Sequence, residues 1–263
     1  IFKFNILFMT IKKEYIKKEK CIWCLKTKPH TIPKTLNNEN IGFDICDDCN
    51  SYFGSDDKEN IVPFSIDKVS KEFINIHKFL LERSKNSESW KELKSQFFNY
   101  YHKSEKIKIN VDYIRNPAHG NEFTRKFKRG IYNMFLQELH RVTESTLEKK
   151  YDIIRDFVRY NKGDIPLLYL VSNNGIRMCE DLEKPLEIVF NDNTIDIINK
   201  YGFYLFRMTG LHFYLLVTED AYNNIDKIIN ESNQMIGSGF VFKELIELKK
   251  INQIDFTLSK WNK

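Results

Sequence analysis

The chain has 263 residues, 42% of them apolar, with 21 Phe and 13 Tyr against only 10 Gly and 6 Pro. That composition supplies a large core and excludes low-complexity and disordered classes, and no apolar run approaches the ~20 residues of a membrane span. The net charge of +5 is uneven: residues 1–62 carry 10 basic and 9 acidic side chains, 63–162 carry 21 and 13, and 163–263 carry 10 and 14. A strongly basic middle beside an acidic end is expected to face a polyanion.

In chain order, residues 1–8 are apolar but broken by Lys3 and Asn5 and lack a small-residue cleavage site, so they do not read as a secretion signal. Met9 reads as a natural start and the protein as cytoplasmic, with no membrane partner. Lys12, Lys13, Lys17, Lys18 and Lys20 follow as a lysine-rich lead-in, read as a solvated tail rather than as an arm on phosphates.

The most informative stretch comes next. Cys21-x-x-Cys24 and Cys46-x-x-Cys49 are separated by 21 residues that contain one histidine and no other cysteine. Two such pairs are the pattern of a four-thiolate structural zinc site. The fifth cysteine, Cys179, stands alone and reads as a small buried apolar residue. An odd count with two paired motifs suits a reducing interior and a metal, not a disulfide framework. Four sulfurs close the tetrahedral shell, so chemistry must sit beside the zinc: His30 is the candidate base, with Asn50 directly after the last ligand. A Mg2+-type ion needs hard oxygen ligands, which Asn and Asp supply and thiolates do not.

The order Cys-x-x-Cys, His30-x-x-Pro33, Cys-x-x-Cys-Asn50, then Phe53-Gly54, resembles the zinc-containing branch of the HNH endonucleases over residues 19–62. The resemblance implies a ββα-metal fold, with His30 activating water and Asn50 holding a catalytic Mg2+ or Mn2+. Asn40 would be the residue that fixes the histidine's backbone, one residue further from Cys46 than usual. It also implies nucleic acid as the partner, DNA rather than RNA, and a role in restriction or anti-phage defence. One position departs from the pattern: the residue before the histidine is Pro29, where the family commonly places Asp, Glu or His as a metal ligand. Asp44 and Asp48 are the nearby carboxylates that could substitute. The alternative is a catalytically inactive zinc module that only binds nucleic acid.

Beyond Pro63, Ile66, Val69, Phe73, Ile76 and Leu80 repeat at helical spacing with Ser65 as N-cap. A second helix is expected over Ser89–Tyr101, with Trp90, Leu93, Phe97 and Tyr101 on one face, then a loop containing Asn116-Pro117-Ala118-His119-Gly120. The next helix has an apolar stripe of Phe123, Phe127, Ile131, Met134 and Phe135. Arg125, Lys126, Lys128 and Arg129 fall off that stripe, a focused patch that could meet phosphates. A further helix spans about 145–160.

From residue 163 the period changes to two. Strands are expected over 165–171, 176–179 after the Asn173-Asn174-Gly175 turn, 186–190 up to Asn191-Asp192-Asn193, 203–208 and 211–217. The last two flank the hairpin signal Thr209-Gly210. Helices over 220–234 and 242–250 would finish the chain, and His212 reads as a packed or edge histidine. The expected architecture is α+β: a small zinc-bound ββα-metal (HNH-like) domain over 1–62, a basic helical region over 63–162, and an antiparallel α+β region over 163–263. That last region could take a regulatory ligand or partner.

Overall fold

The computed structural model describes residues 19–26, 44–85, 92–103, 106–110, 116–143, 145–173, 186–237, 239 and 241–254. Among these residues the chain forms seven helices and two antiparallel sheets. Helix α1 (Asp47–Gly54) follows the second cysteine pair, and α2 (Ile66–Lys85) begins where expected, with the Ser65 hydroxyl accepting from Lys68 N at 3.2 Å.

The segment expected to continue as a helix to Tyr101 is instead strand β1 (Phe98–Tyr101), paired with β2 (Lys106–Ile109) in the register Phe98 to Ile109. Phe97, Phe98 and Ile107 are buried, with Phe98 edge-on to Phe73 at 5.6 Å and Phe97 4.3 Å from Phe123. An aromatic-rich run satisfies a helical stripe and a pleated surface alike, and packing against α2 and the next helix selects the strand. Trp90 lies outside the described residues.

Helix α3 (Pro117–Val142, 26 residues) organises the molecule. It starts at the stretch read as a loop: the Asn116 side chain accepts from Ala118 N at 3.0 Å and Pro117 occupies the first turn. Asn-Pro thus serves as cap and first helical residue, where the missing proline N–H costs nothing. Against α2, Phe73 lies 4.2 Å from Phe127, and Gly130 lets the two helices meet: a Cβ there would lie 1.9 Å from Ser70 Oγ. Two short 3-10 turns (Ser145–Leu147 and Lys149–Tyr151) then lead into α4 (Asp152–Tyr160).

On its other side α3 carries a five-stranded sheet in the order β4-β5-β6-β3-β7, comprising β3 (Leu167–Ser172), β4 (Leu186–Glu187), β5 (Phe203–Met208), β6 (Leu211–Leu216) and β7 (Phe242–Glu247). Phe127 meets Phe213 at 5.7 Å and Phe135 meets Tyr204 at 5.2 Å. The buried Tyr132 hydroxyl donates to Pro166 O at 2.8 Å and accepts from Leu216 N at 3.0 Å. The β5–β6 hairpin turns on Thr209 and Gly210, both left-handed (φ 53° and 74°), as a two-residue turn of this hand requires.

Three further elements differ from expectation. Asn191 does not end a long strand: it opens α5 (Asp192–Tyr201) through a capping box with Thr194. Residues 219–236 form α6 (Glu219–Asn223) and α7 (Ile225–Ile236). Residues 242–247 are strand β7, not a helix, because pairing with β3 overrides the helical propensity of their Glu, Lys and Leu. The outer edge of β7 is covered by α7, whose Asn233 side chain accepts from Leu245 N at 2.7 Å and donates to Leu245 O at 3.1 Å. Residues 176–179 and Cys179 lie outside the described residues, and both flanks of β3 are taken, by β6 and β7. His212 is buried against Phe242 at 5.4 Å. One continuous buried core runs from Trp23 and Phe53 through α2 and α3 to Leu245, across the three regions marked out by charge.

The crossing of α2 and α3 at Gly130 is directly testable. Gly130→Ala gains ~1 kcal/mol of helix propensity but overpacks against Ser70 at a cost of ~1–3 kcal/mol, so a net loss of up to about 2 kcal/mol is expected in urea unfolding. A gain in stability would show that the helices are not this close.

Candidate metal centre

The first cysteine pair sits on a tight turn. Leu25 N donates to Cys21 O and Cys21 N to Lys26 O, each at 2.9 Å, with Leu25 left-handed at φ 58°. Trp23 inside this turn is fully buried, edge-on to Phe53 of α1 at 5.0 Å, and Ile22 N donates to Asp44 O at 2.9 Å. These contacts bring the turn against the start of α1, where Cys46 and Cys49 are three residues apart and so share one helix face.

The four Sγ atoms of Cys21, Cys24, Cys46 and Cys49 all lie within 4.8 Å of one another, and those of Cys24 and Cys46 are 3.7 Å apart. A tetrahedral ion with metal–sulfur bonds of ~2.3 Å needs sulfurs ~3.8 Å apart, so the donor set and its spacing fit a metal ion such as zinc.

The electrostatics fit as well. The Cys21 thiol is pulled down to about 4, first by a hydrogen bond from Cys49 and then by the backbone amides of Cys24, Cys46 and Trp23, against the opposing effect of burial. Cys49 is pushed up by the same shared bond and by burial, an effect opposed by Arg159, whose Nε lies 3.1 Å from its sulfur. Burial pushes Cys24 up. A bound dication would replace the protons that these thiols share.

His30, Asn40 and Pro29 lie outside the described residues. Asn50 is half-buried on α1, one residue past Cys49, and its backbone N donates to Cys46 O at 2.9 Å. The two carboxylates considered as replacements for Pro29 differ. Asp48 is exposed, whereas Asp44 is buried with its Oδ2 3.2 Å from His140 Nε2, and His140 Nδ1 in turn meets Thr146 Oγ1. Asp44 is thereby committed to α3 and does not face solvent.

Three of the four cations expected to point outward are buried, and the fourth, Arg125, is partly exposed. Lys126, Lys128 and Arg129 are 4%, 4% and 3% exposed. Lys126 Nζ donates to Val62 O and, at 2.9 Å, to Phe64 O; Lys128 Nζ donates to Asp164 Oδ1 at 2.6 Å. Arg129 donates to Val158 O at 2.7 Å and to the Tyr52 hydroxyl. Arg125 donates to Asn161 Oδ1 at 2.8 Å, Asn161 O at 3.1 Å and Gly163 O at 2.7 Å. Burial pushes Lys126, Lys128 and Arg129 down. The physical reason is that α3 is covered beyond its apolar stripe, so its cations become donors for carbonyls at the end of α4 and around Val62.

The residues missed in the sequence are the ones that join the cysteine cluster to this helix. Arg159 stacks over Tyr52 at 4.3 Å, and Arg129 lies over the same ring at 5.6 Å. No short-range pattern announces a contact between residues 110 positions apart, such as Arg159 with Cys49. Elsewhere, residues of α4 to α7 and the β5–β6 ends line a cleft of about 990 Å³ that includes Phe203 and Tyr214, and a second cavity of about 280 Å³ is lined in part by Leu205 and Arg207.

The fold and site define a mixed helix-and-sheet protein with a four-cysteine cluster that could hold a metal ion. Compared with known protein families, with curated proteins and with solved structures, the chain matches none of them. No helix among the described residues is long and apolar enough to cross a membrane.

Two measurements check this description. Elemental analysis of the purified protein is expected to find one zinc per chain, lost in Cys46→Ser together with the folded cysteine module, since such sites supply ~10–16 kcal/mol of apparent binding energy. Because thiolates are the ligands, acidification should strip the metal and raising the pH should restore it. For the buried cations, Arg129→Met should cost about 1–3 kcal/mol in denaturant unfolding by leaving the buried Val158 carbonyl without a donor. An unchanged midpoint would mean that the side chain is not held there.

Proposed function

We propose that the protein is a metal-dependent endonuclease of the HNH type, hydrolysing phosphodiester bonds of nucleic acid, DNA rather than RNA. The observation that carries this reading is the convergence of four sulfurs at the start of a helix bearing Asn50 one residue after the last ligand. A zinc ion closed in by four thiolates is structural, so the reactive centre belongs beside it, where the motif places His30. A phosphodiester repels hydroxide, and its hydrolysis needs a cation, a base and in-line geometry. In this proposal His30 takes the proton from water, Asn50 supplies a hard oxygen ligand to Mg2+ or Mn2+, and Asn40 positions the histidine's backbone. The ion would lower the pKa of water and neutralise charge on the phosphate. A role in restriction or anti-phage defence goes with the resemblance, and the cleft of about 990 Å³ is where a regulatory ligand would sit.

A second reading, a zinc module that binds nucleic acid without cutting it, is favoured by one residue. Pro29 stands where a carboxylate or histidine ligand would be expected, and Asp44, one of the two possible replacements, is occupied by His140. The test is a DNA cleavage assay with added Mg2+ or Mn2+. His30→Ala should lower the rate ~10²–10⁴-fold with zinc content and fold unchanged. Asn50→Ala should shift the divalent-ion dependence to higher concentration. A wild type that binds DNA but never cuts it, or a His30→Ala variant that cuts at the wild-type rate, would favour the binding module.

A further inference from the structure

With Lys126, Lys128 and Arg129 buried, the positive charge that faces solvent in the middle of the chain lies on other elements. On α2 the exposed cations Lys68, Lys71 and Lys78 fall at helical spacing and share one stripe with Asn75. Val69, Phe73 and Ile76 are buried on the opposite side of the helix. Lys68 is held by Asp56, whereas Lys71 and Lys78 have no ion pair among the described residues.

The carboxylate in the middle of α2 is withdrawn from this stripe. Glu72 is buried and accepts from the Ser95 hydroxyl and from Gln96 N at 3.3 Å. That contact lays residues 94–96 along the helix, where the Asn75 amide donates to Lys94 O at 3.4 Å. The exposed Lys94, also without an ion pair among the described residues, thereby comes to stand beside the stripe. The chain then enters β1, whose Tyr100 packs on Phe79 of α2 at 4.9 Å. Lys103 and Lys108, both exposed, carry the charge onto the β1–β2 ribbon. Over residues 64–110 the exposed charges among the described residues are six lysines against Glu82 and Glu92.

We propose that the solvent face of α2, with Lys94 beside it and Lys103 and Lys108 on the neighbouring ribbon, receives the phosphate backbone of duplex DNA. The proposal rests on the nucleic-acid reading above and adds to it the contact surface and the strand state of the partner. Lys68 to Lys78 spans ~15 Å of helix, against which a duplex offers one charge every ~1.7 Å of its axis. Lysines act as point charges, so such contacts hold a backbone without reading sequence. A single strand would need free rings to stack on, and the exposed aromatic of this face, Tyr101, has Lys108 over its ring at 5.1 Å. The apolar side of α2 is spent on the core, which leaves the helix nothing to insert into a bilayer.

The experiment is fluorescence anisotropy of a labelled DNA duplex of about twenty base pairs with the full zinc-loaded chain, over a salt series and without added Mg2+ or Mn2+. The triple variant Lys71→Gln, Lys78→Gln, Lys94→Gln is expected to lower the salt slope by ~2.7, at ~0.9 per phosphate contact, and to weaken binding on the order of 100-fold at physiological salt. All three side chains are exposed, so its urea midpoint should match that of the wild type. A control triple, Lys243→Gln, Lys249→Gln, Lys250→Gln, removes the same charge from the acidic end and should leave the slope unchanged. Equal losses in the two triples, an unchanged slope in the first, or no duplex binding by the wild type at micromolar protein and low salt would overturn the surface. Tighter binding to a single strand of equal length, or to phosphatidylserine vesicles than to the duplex, would overturn the choice of partner. Cleavage is read separately. Lysine-dependent binding without cleavage leaves the surface standing and removes the nuclease. Cleavage with duplex binding unchanged in the first triple does the reverse.

Discussion

The constraint on which the rest of the structure depends is that the cations in the middle of α3 have no water to turn to. A buried ammonium or guanidinium without partners costs several kcal/mol, so each must find fixed acceptors. Here the acceptors are mostly carbonyls where other elements begin or end: Val62 and Phe64 before α2, Val158 in the last turn of α4, and Asn161 and Gly163 beyond it. One helix thereby satisfies loose ends of its neighbours and fixes their positions. A helix whose cations reached solvent would leave those carbonyls to find other donors.

The cysteine module inherits its placement from this arrangement. Residues 19–26 and α1 bury only Cys21, Ile22, Trp23, Cys49 and Phe53 as apolar core, a small set for a unit of its own. Three links tie the module to the larger body. Asp44 reaches His140 of α3, the Tyr52 ring contacts both Arg129 and Arg159, and Arg159 reaches the Cys49 sulfur. The cysteine cluster and the packing of α4 are therefore linked through one guanidinium.

What was legible in the sequence is what local chemistry decides. Two Cys-x-x-Cys pairs declare their ligands by residue type, and the structure brings all four sulfurs together. Thr209-Gly210 declares its turn through backbone conformations that few dipeptides adopt easily, and the apolar spacing from Ile66 declares a helix. What was not legible is what partners decide. Phe98–Tyr101 and Phe242–Glu247 become strands because a neighbouring strand and a helical surface await them. Asn116-Pro117 suits a loop and a helix start equally until the helix is known to run on to Val142. The run Arg125–Arg129 reads as solvated on a helical wheel because a wheel shows one stripe. It cannot show that α2, α4 and the sheet surround the same helix.

Charge at the cysteine cluster bears on any role with nucleic acid. Four thiolates around a dication carry a formal excess of two negative charges, which would repel a phosphate backbone from the surface nearest the motif. Backbone amides of Trp23, Cys24 and Cys46 and the Arg159 side chain all donate toward these sulfurs, drawing that charge inward. Arg159 at the same time lies over the rings of Tyr52 and Tyr160. A single arginine is thus shared between the cysteine cluster and two aromatic rings.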